Sequence, residues 1–128
     1  RRYFDSSAVT GWVIPRGAFA GQDVALGDLA SLSYGGVTIW AQAYDIGPAD
    51  SERVEISVEA CRQLGIPSCA RSGGTADGVD VVVLPGSRRL VADDGKVRPW
   101  TVRDAEEVSE RAEEWAKGWG EKQGQAAP

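Results

Sequence analysis

The stretch DLASLSYGGVTIWAQAY, residues 28–44, predicts a β-hairpin and decides the fold class. Residues 28–34 and 37–44 form two strand-like runs, and Gly35-Gly36 between them supplies the positive φ angles that a two-residue hairpin turn requires. Because successive side chains of a strand point to opposite faces, the second run has one apolar face, which we predict to be the core face. This face carries Val37, Ile39, Ala41 and Ala43, and Asp45 continues its phase at the strand end.

The flanking sequence alternates short apolar runs with Gly, Pro, Asp and Ser, which is typical of β-rich domains. A turn is predicted at residues 46–50, and a helix is expected to begin between Ser51 and Ile56 and to end at Gly65. The nearly continuous apolar run at residues 79–84 stops at Pro85-Gly86 and predicts a buried strand.

The C-terminal part of the chain has a different pattern. Apolar residues recur at helical spacing after Thr101, a good N-cap residue, and predict one amphipathic helix within residues 98–120. The remaining residues, 121–128, are polar and are expected to fray. The domain boundaries inferred are a β-rich domain at 1–97, this helix packed on it, and a short tail.

Composition excludes several classes of function. The chain has 128 residues, no His and two Cys, so it holds no Ser-His-Asp or Cys-His centre, no His-ligated zinc and no all-Cys zinc site. The net charge is −5, which makes nucleic-acid binding improbable and suits a cationic partner. No apolar run approaches the roughly 20 residues needed to span a bilayer. No metal or cofactor is expected.

The two cysteines bear on the compartment of the protein. The chain begins at Arg1 and contains no Met, which indicates a processed form, and we expect a secreted protein whose signal has been removed. In an exported protein, Cys61 and Cys69 would form a disulfide. In the cytosol they would instead be a buried apolar residue and a loop thiol. We favour the bridge.

Carboxylates are the remaining groups able to perform chemistry. Asp45 ends an apolar strand beside Gly47-Pro48, where the chain turns away and leaves a side chain open to a cleft. Glu55 lies at or near the predicted helix start. Each has a simpler interpretation, Asp45 as a turn residue that binds backbone N–H groups and Glu55 as an acidic residue favoured by the helix dipole. Facing each other across a groove, they would provide one acid and one base for glycoside hydrolysis.

Several segments in this order resemble glycoside hydrolase family 75, the fungal-type chitosanases, which also occur in bacteria. They are LGDLA (26–30), YGG (34–36), DIGP (45–48), EIS (55–57) and LGI (64–66), flanked by VIP (13–15) and VDVVVLPG (79–86). The resemblance spans roughly residues 12 to 87. One position departs from it, because Val54 stands where the family usually has Gly.

The resemblance implies an inverting endo-hydrolase of chitosan. It implies a small β-barrel with helical additions, similar to the double-psi barrels of family 45 endoglucanases and expansins. The catalytic pair of the family falls on Asp45 and Glu55, for which we expect Glu55 to be the acid and Asp45 the base. Inversion requires the two carboxyl groups about 6.5–9.5 Å apart, so that a water fits between them and the sugar.

Chitosan is a polycation, which suggests how it would be bound. Acidic side chains would hold its ammonium groups, and aromatic faces would stack on its sugar rings. The candidate substrate-binding residues are Asp28, Trp40, Tyr44, Asp50 and Ser57, of which Ser57 belongs to the EIS segment. The simpler interpretations are turn residues for the acidic pair and core packing for the aromatic pair.

Other functions stay open. A related amino-sugar polymer such as peptidoglycan is a second possible substrate. From a different class, a non-catalytic polysaccharide-binding or wall-remodelling barrel, similar to expansins, would need only a groove and aromatic side chains. A degenerate domain that makes protein contacts through its acidic helix is a third hypothesis. A monomer is expected in each case.

Overall fold

The structure is a computed structural model that describes residues 6–48, 54–67, 74–75, 78–88, 114 and 116–118. In chain order the elements are strands β1 (Gly11–Ile14), β2 (Leu29–Tyr34), β3 (Val37–Ile46) and β4 (Glu55–Ile56), helix α1 (Val58–Leu64), and strands β5 (Gly74–Thr75) and β6 (Asp80–Val83). The described part is therefore mainly β, as the sequence predicts. It contains no helix long and apolar enough to cross a membrane.

The strands form one mixed sheet with the order β5-β4-β1-β3-β2-β6. The predicted hairpin is its centre: β2 and β3 pair antiparallel, and Gly35 and Gly36 have φ angles of 55° and 84°. Both angles are positive, as a type I′ turn requires. Strand β1 inserts beside β3 in parallel orientation, whereas every other pair in this sheet is antiparallel. The chain thus places β1 between β3 and β4.

The core lies against one face of this sheet. Trp12, Ala43 and Ile56 are fully buried and in register with one another across β3, β1 and β4. The indole of Trp12 donates a hydrogen bond to the Asp28 carbonyl oxygen at 3.1 Å and meets the Phe19 ring edge-on at a centroid distance of 6.0 Å. The predicted core face of β3 is confirmed at Ala41 and Ala43, whereas Val37 at the turn end is exposed.

Helix α1 begins later than predicted. It starts at Val58, because Ser57 is the N-cap and its hydroxyl accepts the Ala60 N–H at 3.2 Å. The expected start between Ser51 and Ile56 is wrong, since Glu55 and Ile56 pair with β1 as a strand. The predicted end is confirmed: Gly65 closes the helix in the left-handed conformation with φ 75°.

The strand predicted at residues 79–84 exists but is not buried. Asp80 and Val82 are exposed on β6, whose only partner among the described residues is β2. The apolar run therefore has one covered and one open face. The predicted C-terminal helix lies outside the described residues except for Glu114 and residues 116–118, which are helical.

Candidate functional site

A bulge at the end of β3 places Asp45 on the surface. Trp12 pairs with Ala43, but the next residue of β1, Val13, pairs with Asp45, so the register skips Tyr44. In a bulge of this kind, two residues of one strand lie opposite one residue of its partner. Beyond the bulge, the side chains therefore point to the face opposite to the one that simple alternation predicts. The expectation that Asp45 continues the core-face phase is therefore wrong, and Asp45 is exposed.

Glu55 lies opposite Asp45 across a single residue. Val13 pairs with Asp45 on one side and with Glu55 of β4 on the other. Residues in register across a sheet point to the same face, and neighbouring strands are about 4.8 Å apart. The Cα atoms of Asp45 and Glu55 are thus about 10 Å apart, two strand spacings, with both side chains on the face opposite the core. Val13 lies between them and is 7% exposed.

The position of Glu55 changes the interpretation of that residue. Glu55 is half-buried on β4, and α1 begins only at Val58. The first N–H groups of the helix are occupied by the Ser6 hydroxyl, the Ser6 carbonyl and the Ser57 hydroxyl. The explanation of Glu55 as a first-turn residue placed by the helix dipole is therefore wrong.

Tyr44 interacts electrostatically with both carboxylates. Burial raises the pKa of its phenol, and the negative charges of Glu55 and Asp45 raise it further, while a hydrogen bond with Ser6 acts in the opposite direction. The side chain is half-buried. Asp45, Tyr44 and Glu55 thus interact electrostatically on one face of the sheet, and we call these three residues the carboxylate cluster.

The local contact of Asp45 agrees with its simpler interpretation as well. Its Oδ1 accepts a hydrogen bond from the backbone N–H of Ile46 at 2.8 Å. This is the kind of contact that a turn aspartate makes. The same contact fixes the orientation of the carboxylate, so it is compatible with either role.

Asp28 lies outside this cluster, contrary to expectation. It is fully buried, and its carboxylate accepts the backbone N–H groups of Ala25, Gly86 and Arg88 together with the Arg88 guanidinium at 3.1 Å. A carboxylate without exposed surface offers nothing to a polymer. Asp28 ties the start of β2 to the chain beyond β6, and we remove it from the candidate binding residues.

Ser57 is also structural. Its buried hydroxyl donates to the Val9 carbonyl at 2.8 Å and accepts the N–H groups of Gly11 and Ala60. A hydroxyl with these contacts caps α1 and anchors β1. Like Asp28, it is removed from the candidate binding residues.

The other candidates have mixed outcomes. Trp40 is half-buried and lies on the same face of β3 as Gln42 and Tyr44, about 13 Å from Tyr44 along the strand. Asp50 lies outside the described residues. Cys61 is fully buried in α1 and is not a free thiol, while Cys69 also lies outside the described residues, so the pairing of the two stays a prediction.

A groove that the sequence did not predict lies beside the end of β3. It has a volume of about 360 Å³ and is lined by Ile14, Arg16, Phe19, Ala20, Gly21, Gln22, Val24 and Ile46. Ile46 follows Asp45 and is 43% exposed. The Arg16 guanidinium donates to the Gly47 carbonyl at 3.1 Å and so holds the turn after β3. The one feature of the sequence that indicates this groove is Ile46, an apolar residue directly after the strand-end Asp45.

The described residues contain no group of three or more metal-ligating side chains. The chain matches no family model, and no curated protein matches it.

Proposed function

We propose that this chain is an endo-acting glycoside hydrolase that cleaves the β-1,4 links of chitosan or a related amino-sugar polymer by single-displacement inversion. The observation that carries the proposal is the pairing of Val13 with both Asp45 and Glu55. It brings two carboxylates to one face of the sheet at Cα positions about 10 Å apart. Carboxyl separations of about 6.5–9.5 Å are within reach of side chains so placed, and this is the range that inversion needs.

The chemistry assigns one role to each carboxyl group. Glu55, as the acid, gives its proton to the departing glycosidic oxygen while the bond from that oxygen to the anomeric carbon breaks. Asp45, as the base, takes a proton from a water whose oxygen attacks the anomeric carbon from the opposite side. Asp45 is the more exposed of the two, which gives it access to that water.

The surroundings suit a cationic sugar polymer. The two carboxylates would attract glucosamine ammonium groups. The half-buried rings of Trp40 and Tyr44 lie on the same face of β3, with the fully buried Gln42 between them. Peptidoglycan, a polymer of neutral and acidic amino sugars, is the second substrate class to test.

The proposed fold is a small double-psi-like barrel, with the C-terminal helix packed outside it. Two features support it: β1 lies parallel to β3 within an otherwise antiparallel sheet, and the core covers one face of that sheet. A secreted location and a Cys61–Cys69 disulfide belong to the same proposal. A free-thiol assay on unreduced, unfolded protein that finds two reactive thiols would refute the bridge.

The experiment that tests the proposal is size analysis of chitosan oligomers after incubation with the protein. We expect wild type to shorten the oligomers from within, and Asp45→Asn or Glu55→Gln to slow this by on the order of 10²–10⁴-fold, because positioned acid–base groups contribute that much. Asp23→Asn is the matched control, since Asp23 is an exposed carboxylate of a surface ion pair with Arg88. Equal rates for all four proteins would refute the catalytic assignment.

A non-catalytic polysaccharide-binding module is the second candidate. Its supporting observation is the fold position of Asp45 as an ordinary turn aspartate, whose Ile46 N–H contact requires no catalysis although it does not exclude it. A binding module would retain chitosan affinity, weakened by salt, without shortening the polymer. The two functions therefore differ in the product analysis and not in the binding assay.

A further inference from the structure

Tyr44 occupies the bulge that brings Asp45 to the surface. It is the residue of β3 that the register with β1 skips, between Ala43 in the core and the exposed Asp45. Bulges change the direction of a side chain and are common next to active sites. Tyr44 is therefore held at the one irregular position of the parallel pair, immediately beside a proposed catalytic residue.

A short chain of hydrogen bonds fixes the phenol. The Val58 N–H at the start of α1 donates to the Ser6 hydroxyl at 3.0 Å, and the Ser6 carbonyl accepts the Glu59 N–H at 2.9 Å. Ser6 in turn hydrogen-bonds with Tyr44. Since the Ser6 oxygen already accepts from Val58, its own proton is available for the phenol oxygen, and Tyr44 keeps its proton for another acceptor.

The two carboxylates differ in what orients them. Asp45 is fixed by the Ile46 N–H. Among the described residues, no hydrogen bond fixes the carboxyl group of Glu55. Tyr44 precedes Asp45 on β3, and Val13 beside them pairs with Glu55. The charges of Glu55 and Asp45 both raise the pKa of the phenol, that of Glu55 more. The phenol consequently stays neutral, and a neutral phenol is a hydrogen-bond donor.

We propose that Tyr44 is a positioning residue for the hydrolysis: its phenol, held by Ser6 beside Asp45 and Glu55, supplies a neutral O–H that orients the Glu55 carboxyl group toward the bound polymer. The inference rests on the proposed function and extends it to a third side chain. Contacts of this kind tighten when substrate is bound, so the free protein need not show the closed geometry.

The placement of Tyr44 is tested without substrate. Its ionisation is followed by the ¹³Cζ resonance of labelled tyrosine in wild type, Glu55→Gln and Asp45→Asn. We expect both substitutions to lower the pKa of Tyr44 and Glu55→Gln to lower it more, because each removes a negative charge that disfavours the phenolate. An unchanged titration in Glu55→Gln would overturn the proposal, whatever the activity of the protein.

The role of Tyr44 is tested by Tyr44→Phe, which removes one oxygen and keeps the ring. Turnover of chitosan oligomers is expected to fall up to about 10-fold with KM little changed, since one hydrogen bond to the neutral acid contributes at most roughly that much. Tyr34→Phe is the control, because Tyr34 lies at the turn end of β2 and makes the same atomic change away from the cluster.

The outcomes separate this inference from the proposed function. Full turnover in Tyr44→Phe, or a rise in KM alone, would overturn the positioning role and leave the hydrolysis intact. No cleavage by wild type would overturn the hydrolysis and, with it, the role of Tyr44. The expected loss in Tyr44→Phe, full activity in Tyr34→Phe and the expected titration would together support the proposal.

Discussion

Asp28 and Asp45 lie at the open end of the central hairpin, one immediately before β2 and the other near the end of β3, and they have opposite environments. Asp28 is fully buried, with backbone N–H groups and the Arg88 guanidinium around its carboxylate. Asp45 is exposed and accepts one local N–H. Asp28 connects distant parts of the chain. Asp45 makes a local hydrogen bond, with its own neighbour Ile46, and its carboxylate is accessible to a ligand.

The contrast shows that the partner of a carboxylate, and not its position beside a strand, decides its role. The groups that bind Asp28 lie at Gly86 and Arg88, some 60 residues along the chain. Its desolvation is offset by charge-assisted hydrogen bonds. Asp45 has no such distant partner among the described residues. Substitution of Asp28 should therefore lower the free energy of unfolding, whereas substitution of Asp45 should lower activity.

The largest effect on stability is expected from Asp28→Asn. The variant turns one oxygen of a fully buried carboxylate into an amide NH₂, which cannot accept the N–H groups that meet it, and leaves Arg88 with its Asp23 pair alone. Breaking a buried pair on one side costs about 3 kcal/mol. The free energy of unfolding is measured by urea titration, with Asp23→Asn as control, since that carboxylate is 58% exposed and exposed pairs contribute about 0–1 kcal/mol. Equal losses in both variants would contradict the contrast.

Local signals were sufficient for the hairpin and for the end of α1. Gly35-Gly36 and Gly65 act through their own φ angles, which depend on no distant contact. The bulge at Tyr44 is different, because it exists only where β1 lies in parallel beside β3. The phase of Asp45 beyond it was therefore not predictable from alternation along the strand.

The predictions of where α1 begins and of a buried β6 were wrong for a related reason. Glu55 and Ile56 are a strand because β1 pairs with them, and Ser57 is then the first residue able to cap. The apolar run of β6 has the composition of a buried strand, but its position at the end of the sheet order is a property of the topology. Asp45 and Glu55 were expected to face each other from two sides of one turn, whereas in the structure each of them pairs with Val13.

A smaller loss of stability is expected from Ser57→Ala. The substitution removes the N-cap of α1 and leaves the Gly11 N–H without its hydroxyl partner. A lost cap and a buried unsatisfied donor together cost about 2 kcal/mol. Ser33→Ala is the control, since the Ser33 hydroxyl meets Thr38 in an exposed contact. Denaturant midpoints measure both, and a Ser33→Ala loss as large as that of Ser57→Ala would show that Ser57 is not a structural anchor.

A still smaller effect should appear in acid. Hydrogen bonds from Arg62 hold the pKa of Glu59 below its ordinary value. A lowered pKa gives stability that is present above about pH 4.3, the ordinary glutamate value, and is lost as the pH falls through the lowered one. Glu59→Gln should remove this acid-dependent part, about 1 kcal/mol. Identical unfolding curves against pH in wild type and Glu59→Gln would contradict the assignment.

The least effect on stability, and the greatest on activity, is expected at the carboxylate cluster. Asp45→Asn and Glu55→Gln should change the free energy of unfolding by less than about 0.5 kcal/mol, because both side chains reach the surface away from the core. Thermal or urea unfolding of the same preparations used for kinetics measures this. A loss as large as that of Asp28→Asn would mean that these carboxylates are structural.

The central claim is that Asp45 and Glu55 act as one unit across Val13, and the most direct measurement is a double-mutant cycle on chitosan turnover. Turnover is measured for wild type, Asp45→Asn, Glu55→Gln and the double variant, each shown to be folded. Groups that act together in one step are non-additive, so the double variant should be about as slow as the slower single variant. Losses that multiply in the double variant, or single variants that turn over at the wild-type rate, would contradict the claim.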